Sequence, residues 1–241
     1  MSLRPAFYAL GTGGWRDYVT LLHPPYTLWH LSYVAIGAAL APAFDLVRLG
    51  LGLGAFALGV GVGAHALDEL AGRPLGTSIP DRVLWLAAGL ALTGAVAIGI
   101  YASFAYTPWL LLLVAAGGFV VTAYNLELFG GRFHGPFWFA SSWGALPLLA
   151  GYLVTAETLS VEALLAAAFA FLLSRAQQQL SAPVRHVRRR VQRVSGALEL
   201  TDGERRPVDR ATLIEAPESA LRTLSAATVT LAAALVALRL T

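Results

Sequence analysis

The chain contains no cysteine and no lysine. Without cysteine there are no disulfides, thiolate metal sites or cysteine nucleophiles, and the redox compartment stays open. Without lysine there is no Schiff-base chemistry, which argues against a retinal-binding seven-helix protein. Charge of any kind is scarce: 13% of the 241 residues are charged and 57% are hydrophobic, where a water-soluble domain has about a quarter of its residues charged. Also missing is the continuous apolar core of a signal peptide. Residues 1–20, with Gly11, Gly13, Gly14, Arg16 and Asp17, read as a short retained segment lying on the membrane. The net charge of +3 makes no case for nucleic acid; in so apolar a chain, clustered arginines are first of all topology signals.

What is present is a series of long apolar runs. A helix needs about 20 mostly apolar residues to cross a bilayer, and seven stretches approach or meet that length: 26–43, 47–66, 83–104, 109–125, 137–155, 161–178 and 219–240. They predict an all-α integral membrane protein, a bundle of about seven transmembrane helices making one membrane domain over 1–241. Arg4, Arg16, Arg73, Arg82, Arg132 and the group from Arg185 to Arg210 fall in segments that share one side, against Arg48 and Arg239 on the other. This bias places the N-terminus and those loops on the cytoplasmic side of the cell membrane. Trp29, Trp85, Trp109 and Trp138 lie near span ends, where indoles suit the interfacial belt. In the second span Gly50, Gly52, Gly54, Gly59, Gly61 and Gly63 allow close helix approach, within one bundle in preference to a dimer seam.

Residues 181–218 read as a cytoplasmic insertion. Val184, Val187, Val191 and Val194 recur at helical steps, with Arg185, Arg188, Arg189, Arg190 and Arg193 between them. This predicts a basic amphipathic helix suited to an anionic membrane surface, as an anchor or a lid. Residues 197–200 and 205–208, about the turn Thr201-Asp202-Gly203-Glu204, predict a small hairpin.

Ionisable residues inside or at the mouth of membrane helices are costly and therefore candidates for function. The second span ends in His65, Asp68 and Glu69, and the three- and four-residue spacing puts both acids near the histidine on one face. Such a set can bind a divalent cation, magnesium in preference to zinc, or simply cap the helix end and bond Arg73 or water. The fourth span ends in Tyr124 and Asn125, followed by Glu127, Arg132 and His134. Arginine there can grip a phosphate that tyrosine and asparagine orient, or the segment is a hydrated loop. The sixth span ends in Arg175, Gln177, Gln178 and Gln179, of which one or two amides can point inward. His30 alone is a thin basis for a transporter or channel, since no charged residue sits at a span centre.

Taken together, these clusters resemble the UbiA superfamily of intramembrane prenyltransferases over roughly residues 23–180. His23-Pro24-Pro25-Tyr26-Thr27 is similar to the family's Arg-Pro-x-Thr motif at its first helix. The end of the second span is similar to its first aspartate motif, Asn-Asp-x-x-Asp-x-x-x-Asp. Asp68 takes the central position, His65 and Gly72 replace the first and last, and Arg73, Pro74, Thr77 and Pro80 follow. Tyr124 and Asn125 through Arg132 and Gly135, then Gly144 and Gly151, are similar to its Tyr-rich loop and the helix after it. The chain departs from the family in having seven apolar runs instead of nine helices, and Gln177-Gln178-Gln179 where a second aspartate motif belongs.

The resemblance implies transfer of an isoprenoid group from a prenyl diphosphate to a lipophilic acceptor. Asp68 and Glu69 would hold Mg2+ and, with Tyr124, form the catalytic set. His65, Arg73, Thr77, Asn125, Arg132, Gln178 and Arg185 would bind substrate, and Tyr33, Phe119, Trp138 and Trp143 would line a prenyl channel. Amide oxygens bring no charge, so the missing second acidic motif weakens a two-magnesium site. The alternative is a catalytically degenerate UbiA-fold protein that binds an isoprenoid, quinone or pigment, or serves as a subunit of a larger membrane complex. Membrane lipids are partners in either case, and a homo-oligomer is open.

Overall fold

The computed structural model describes residues 4–241; Met1–Leu3, the head of the expected N-terminal segment, lie outside the described residues. A short helix α1 (Trp15–Leu21) precedes α2 (Pro24–Leu40), α3 (Leu46–Leu70), α4 (Asp81–Ala105), α5 (Leu110–Asn125), α6 (Pro136–Ala156), α7 (Val161–Arg190) and α8 (Arg210–Leu240). Each apolar run read from the sequence overlaps one of these helices, although 26–43 overruns α2 by three residues and 109–125 starts one residue before α5. The protein is mostly helical, and α3, α4, α6 and α8 are long and apolar enough to cross a membrane. At 17 and 16 residues, α2 and α5 are shorter. Leu86, Leu90, Phe104, Leu112, Leu165 and Leu172 all face outward, an apolar exterior that water does not favour.

Local chemistry sets the boundaries. Pro24 and Pro136 stand in the first turns of α2 and α6, where their missing N–H costs nothing. The Asp45 side chain caps α3 by accepting from the Arg48 N–H, and Ser160 caps α7. A reciprocal capping box between Asp209 and Thr212 starts α8 at Arg210 and not at 219.

The helices from α2 onward alternate in direction. At one end, the arginine-rich end, α3 returns beside α1 and the 71–80 loop, and α7 meets the N-terminal segment. At the opposite end Arg48 donates to the Val154 and Thr155 carbonyls at 3.3 and 3.1 Å and pairs with Glu157 at 2.7 Å. Arg239 donates there to the carbonyls of Ala41 and Pro42.

The tightest seam joins α2 to α6, where a Cβ on Gly37 would overlap the Leu148 carbonyl oxygen and one on Gly151 the Val34 carbonyl oxygen. Small residues here let backbone meet backbone. The α3 glycines also pack within the bundle: a Cβ on Gly61 would lie 3.1 Å from Thr27, and one on Gly63 2.7 Å from Leu92. Two π-helical stretches, Ala57–Ala64 in α3 and Ser141–Ala145 in α6, widen the turns at this level. Such bulges leave carbonyls without their usual partner, and His30 Nδ1 lies 2.7 Å from the Trp143 carbonyl oxygen. Trp29 Nε1 donates to the Tyr33 hydroxyl at 2.7 Å in the core, where Ser174 joins it at 3.3 Å.

One expectation is corrected. The basic segment is no separate surface helix: α7 runs unbroken through Pro183 to Arg190, and Val191 and Val194 fall beyond its end. Val184 and Val187 bury against Ile214, with Val191 packed beside them. Because α8 starts early, protein and not lipid covers Val184, Val187 and Val191. The N-terminal segment is fastened to the 71–80 loop, with Ala6 and Ala9 packed against Leu75 and Asp17 accepting from Ser78. The hairpin forms as expected, with β1 (Ala197–Glu199) antiparallel to β2 (Arg205–Pro207).

Candidate functional site at the arginine-rich end

The adjacent acids at the end of α3 have different fates. Glu69 is fully buried, and its two oxygens accept the backbone N–H groups of Leu75 and Thr77 at 2.9 and 2.8 Å. The chain reverses over residues 71–80, and a buried carboxylate satisfies main-chain donors that the reversal would strand. Arg73, at φ 55°, serves the same loop: it donates to the Ile79 carbonyl at 2.6 Å and pairs with Asp81. Thr77 is buried beside them, with its hydroxyl unpartnered among the described residues. Glu69, Arg73 and Thr77 thus build the loop.

Asp17 anchors this loop to α1, accepting from Gly13 N–H, Ser78 N–H and Ser78 Oγ. Burial opposes its ionisation, but the hydrogen bonds from Ser78 and Gly13 together hold its carboxyl below the usual range.

Asp68 is half-buried and makes no hydrogen bond or ion pair among the described residues. It lies within electrostatic reach of Arg189, Arg185, Glu69 and His134. Arg185 and Arg189 stand one turn apart on one face of α7, and Tyr8, Tyr26 and Tyr124 all lie within electrostatic reach of Arg185. Arg185 donates to Ser181 Oγ at 2.6 Å, and Arg189 to the Pro5 carbonyl at 3.4 Å. Arg188, on another face, is committed to the buried Glu218. Two guanidinium groups therefore lie within electrostatic reach of one carboxylate that is uncommitted among the described residues, with Tyr8 and Tyr124 beside them, and we treat this cluster as one chamber.

The other expected site residues divide. Tyr124 belongs to the chamber wall, stacked on His134 at 4.3 Å and lying 4.6 Å from Trp143. His65 is buried, stacked on His23 at 4.0 Å and bonded through Nδ1 to the Gly61 carbonyl. Asn125 donates back to the Val121 carbonyl at 2.7 Å. Gln178 accepts from Arg175 at 3.1 Å, while its neighbour Gln177 is buried with an unpartnered Oε1. Arg132 is exposed, and Phe119 packs on Phe129 and Phe133 in the same loop region.

Sequence reasoning missed Tyr8 and Arg189 beside Asp68 and left His23 outside the site. The Arg185–Arg189 spacing was the available signal for one of them. His23, at φ 45°, is the strained residue at the head of α2, and its buried Nε2 has no hydrogen-bond partner among the described residues. Burial first, then His65, Arg189 and Arg185, push it well below the ordinary histidine range, so it is neutral near pH 7.

The donor set does not fit magnesium. Of the expected ligands Asp68 and Glu69, Asp68 alone has its carboxylate free among the described residues; both Glu69 oxygens are taken, and the charges acting most strongly on Asp68 are the Arg189 and Arg185 guanidinium groups. Hard divalent cations need several oxygen ligands, and among the described residues no cluster of three histidine or acidic side chains exists.

A cavity of about 400 Å³ lies between α3, α4, α5 and α6. Gly59, Leu92, Gly99, Val114 and Gly118 are typical of its lining, and the few hydroxyls are those of Thr93, Thr122 and Ser142. It follows α5 from Leu110 to Thr122, about 18 Å at the helical rise. Its inner end lies within one turn of Tyr124. Comparison of the chain with protein-family models, curated proteins and solved structures finds no match.

Proposed function

We propose that this chain is an integral membrane protein with seven crossings and a cytoplasmic arginine-rich end, and that it holds an elongated isoprenoid-like molecule. The tail would lie in the α3–α6 cavity and the polar end near Asp68, Arg185 and Arg189. The juxtaposition carries this reading: a dry slot of lipid-tail dimensions leads toward a chamber holding two arginines and a single free acid. Volumes of a few hundred Å³ suit one small apolar ligand. The arginine bias supports the orientation, and the resemblance to UbiA prenyltransferases supports an isoprenoid over a fatty acyl chain.

A second reading is prenyl transfer itself. The Arg185–Arg189 pair favours it, because paired guanidinium groups suit a departing diphosphate. Tyr124 and Trp143 at the cavity end would face developing allylic cation character. This reading asks the arginines to do work that magnesium does elsewhere.

The test is lipid extraction from protein purified in nanodiscs, with Gly118→Leu as the control that fills the slot. A Cβ at Gly118 has room, with Val96 4.0 Å away, so the variant should fold. The native protein should retain geranylgeraniol at near one equivalent, and the variant should lose it. Equal retention of geranylgeraniol and bulk phospholipid by both would end the proposal. Release of diphosphate from geranylgeranyl diphosphate in the presence of a lipophilic acceptor would select the transferase reading.

A further inference from the structure

Residues 4–10 cross the arginine-rich end without forming a helix or strand. Tyr8 packs against His23 at 5.3 Å and Tyr26 at 5.5 Å, and Phe7 meets Tyr26 edge-on at 6.1 Å. The Arg222 guanidinium covers the Phe7 ring at 4.9 Å. Tyr8 also lies within reach of Arg189, Asp68 and Arg185, yet its hydroxyl makes no hydrogen bond among the described residues. Burial, with Tyr26 beside it, pushes this phenol up, so it brings no charge among three charged groups.

The fastenings of the segment are few. Arg188 donates to the Arg4 carbonyl at 3.0 Å and Arg189 more weakly to the Pro5 carbonyl at 3.4 Å. Arg4 reaches back to the Ala9 carbonyl at 3.1 Å, and Leu10 N–H donates to Thr20 Oγ1 at 2.9 Å. Arg188 is also paired with Glu218, so its position does not depend on the Arg4 carbonyl alone. A segment with little secondary structure and few main-chain bonds opens at low free-energy cost.

We propose that residues 4–10 are a displaceable plug: with Tyr8 seated, the chamber around Asp68, Arg185 and Arg189 is covered on its aqueous side, and release of the Arg4 and Pro5 carbonyls opens it. Tyr8 then occupies space that a ligand's polar end would take, so seating and ligand binding compete. This rests on the chamber being the head-group site, but the covering itself is testable without any ligand.

The cysteine-free chain makes the test clean. A single Ser181→Cys substitution places a thiol on the α7 wall, at the hydroxyl that Arg185 touches. In nanodiscs, a charged thiosulfonate reagent should label it slowly in the parent background and at least about tenfold faster with Tyr8→Ala added. Fast labelling in the parent, or no acceleration in the double variant, overturns the plug. In the unsubstituted protein, hydrogen exchange should be at least about tenfold faster over residues 4–10 than over residues 66–70; equal rates would also overturn it. Accelerated labelling in a protein that retains no isoprenoid would sink only the head-group reading.

Discussion

The two ends of the bundle use arginine differently. At the opposite end Arg48 and Arg239 are spent on structure, donating to carbonyls where α6 and α2 finish and to Glu157. Cations near helix C-termini satisfy carbonyls and complement the dipole. The arginine-rich end contains such residues too, with Arg73 on its loop and Arg188 on Glu218. It also contains Arg185 and Arg189, which have no carboxylate partner in direct contact among the described residues and share Asp68 at longer range. Counting arginines gives a topology signal. Asking what each one touches separates structural guanidinium groups from those left for a ligand.

The comparison can be broken most forcefully at Glu69. Replacing it with alanine strands the Leu75 and Thr77 N–H groups, and two charge-assisted hydrogen bonds lost from a buried site should cost about 3 kcal/mol or more. A thermal melt in detergent measures this; an unchanged midpoint would mean that the loop does not depend on the acid. At the opposite end, Arg48→Ala should cost about 1 kcal/mol, reduced because Glu157 is half exposed, and retained isoprenoid should not change. Asp68→Asn and Arg185→Ala should shift stability by less than about 0.5 kcal/mol while lowering isoprenoid retention. A large loss of stability with normal retention would make those two residues structural as well.

A separate effect is expected on pH dependence. His23 is held neutral in the fold, so the unfolded chain takes up its proton first. Its contribution is complete above the ordinary histidine value, about 6.5, and fades as pH falls below that toward the depressed folded value. The melting midpoint should therefore drop between pH 7 and pH 5, and less steeply in His23→Gln. Identical slopes would place the acid sensitivity elsewhere.

Much of the scaffold was legible because it rests on local rules. Apolar runs marked the helices, and Asp202-Gly203 marked the hairpin turn, where Gly203 takes φ 86°. The site was less legible because spacing cannot tell neighbours apart. Asp68 and Glu69 both met the pattern for a metal-binding face, and only the path of residues 71–80 decides that Glu69 serves two backbone amides. Gln177 and Gln178 differ in the same way, one buried and one held by Arg175. Val184 and Val187 do form an apolar face, but their partner, Ile214, lies across the hairpin, and Val194 falls outside the helix. Tyr8 was invisible as a chamber residue because its position depends on carbonyl bonds to arginines about 180 residues away, which no local pattern encodes.

The central claim is that the α3–α6 cavity holds an isoprenoid tail, and photo-cross-linking with a diazirine-bearing geranylgeraniol in nanodiscs tests it most directly. Adducts should concentrate at residues 92–102 and 110–122, and Gly118→Leu should abolish them. Adducts scattered over outward-facing Leu165 and Leu172, matching those of a diazirine phospholipid and indifferent to Gly118→Leu, would contradict the account.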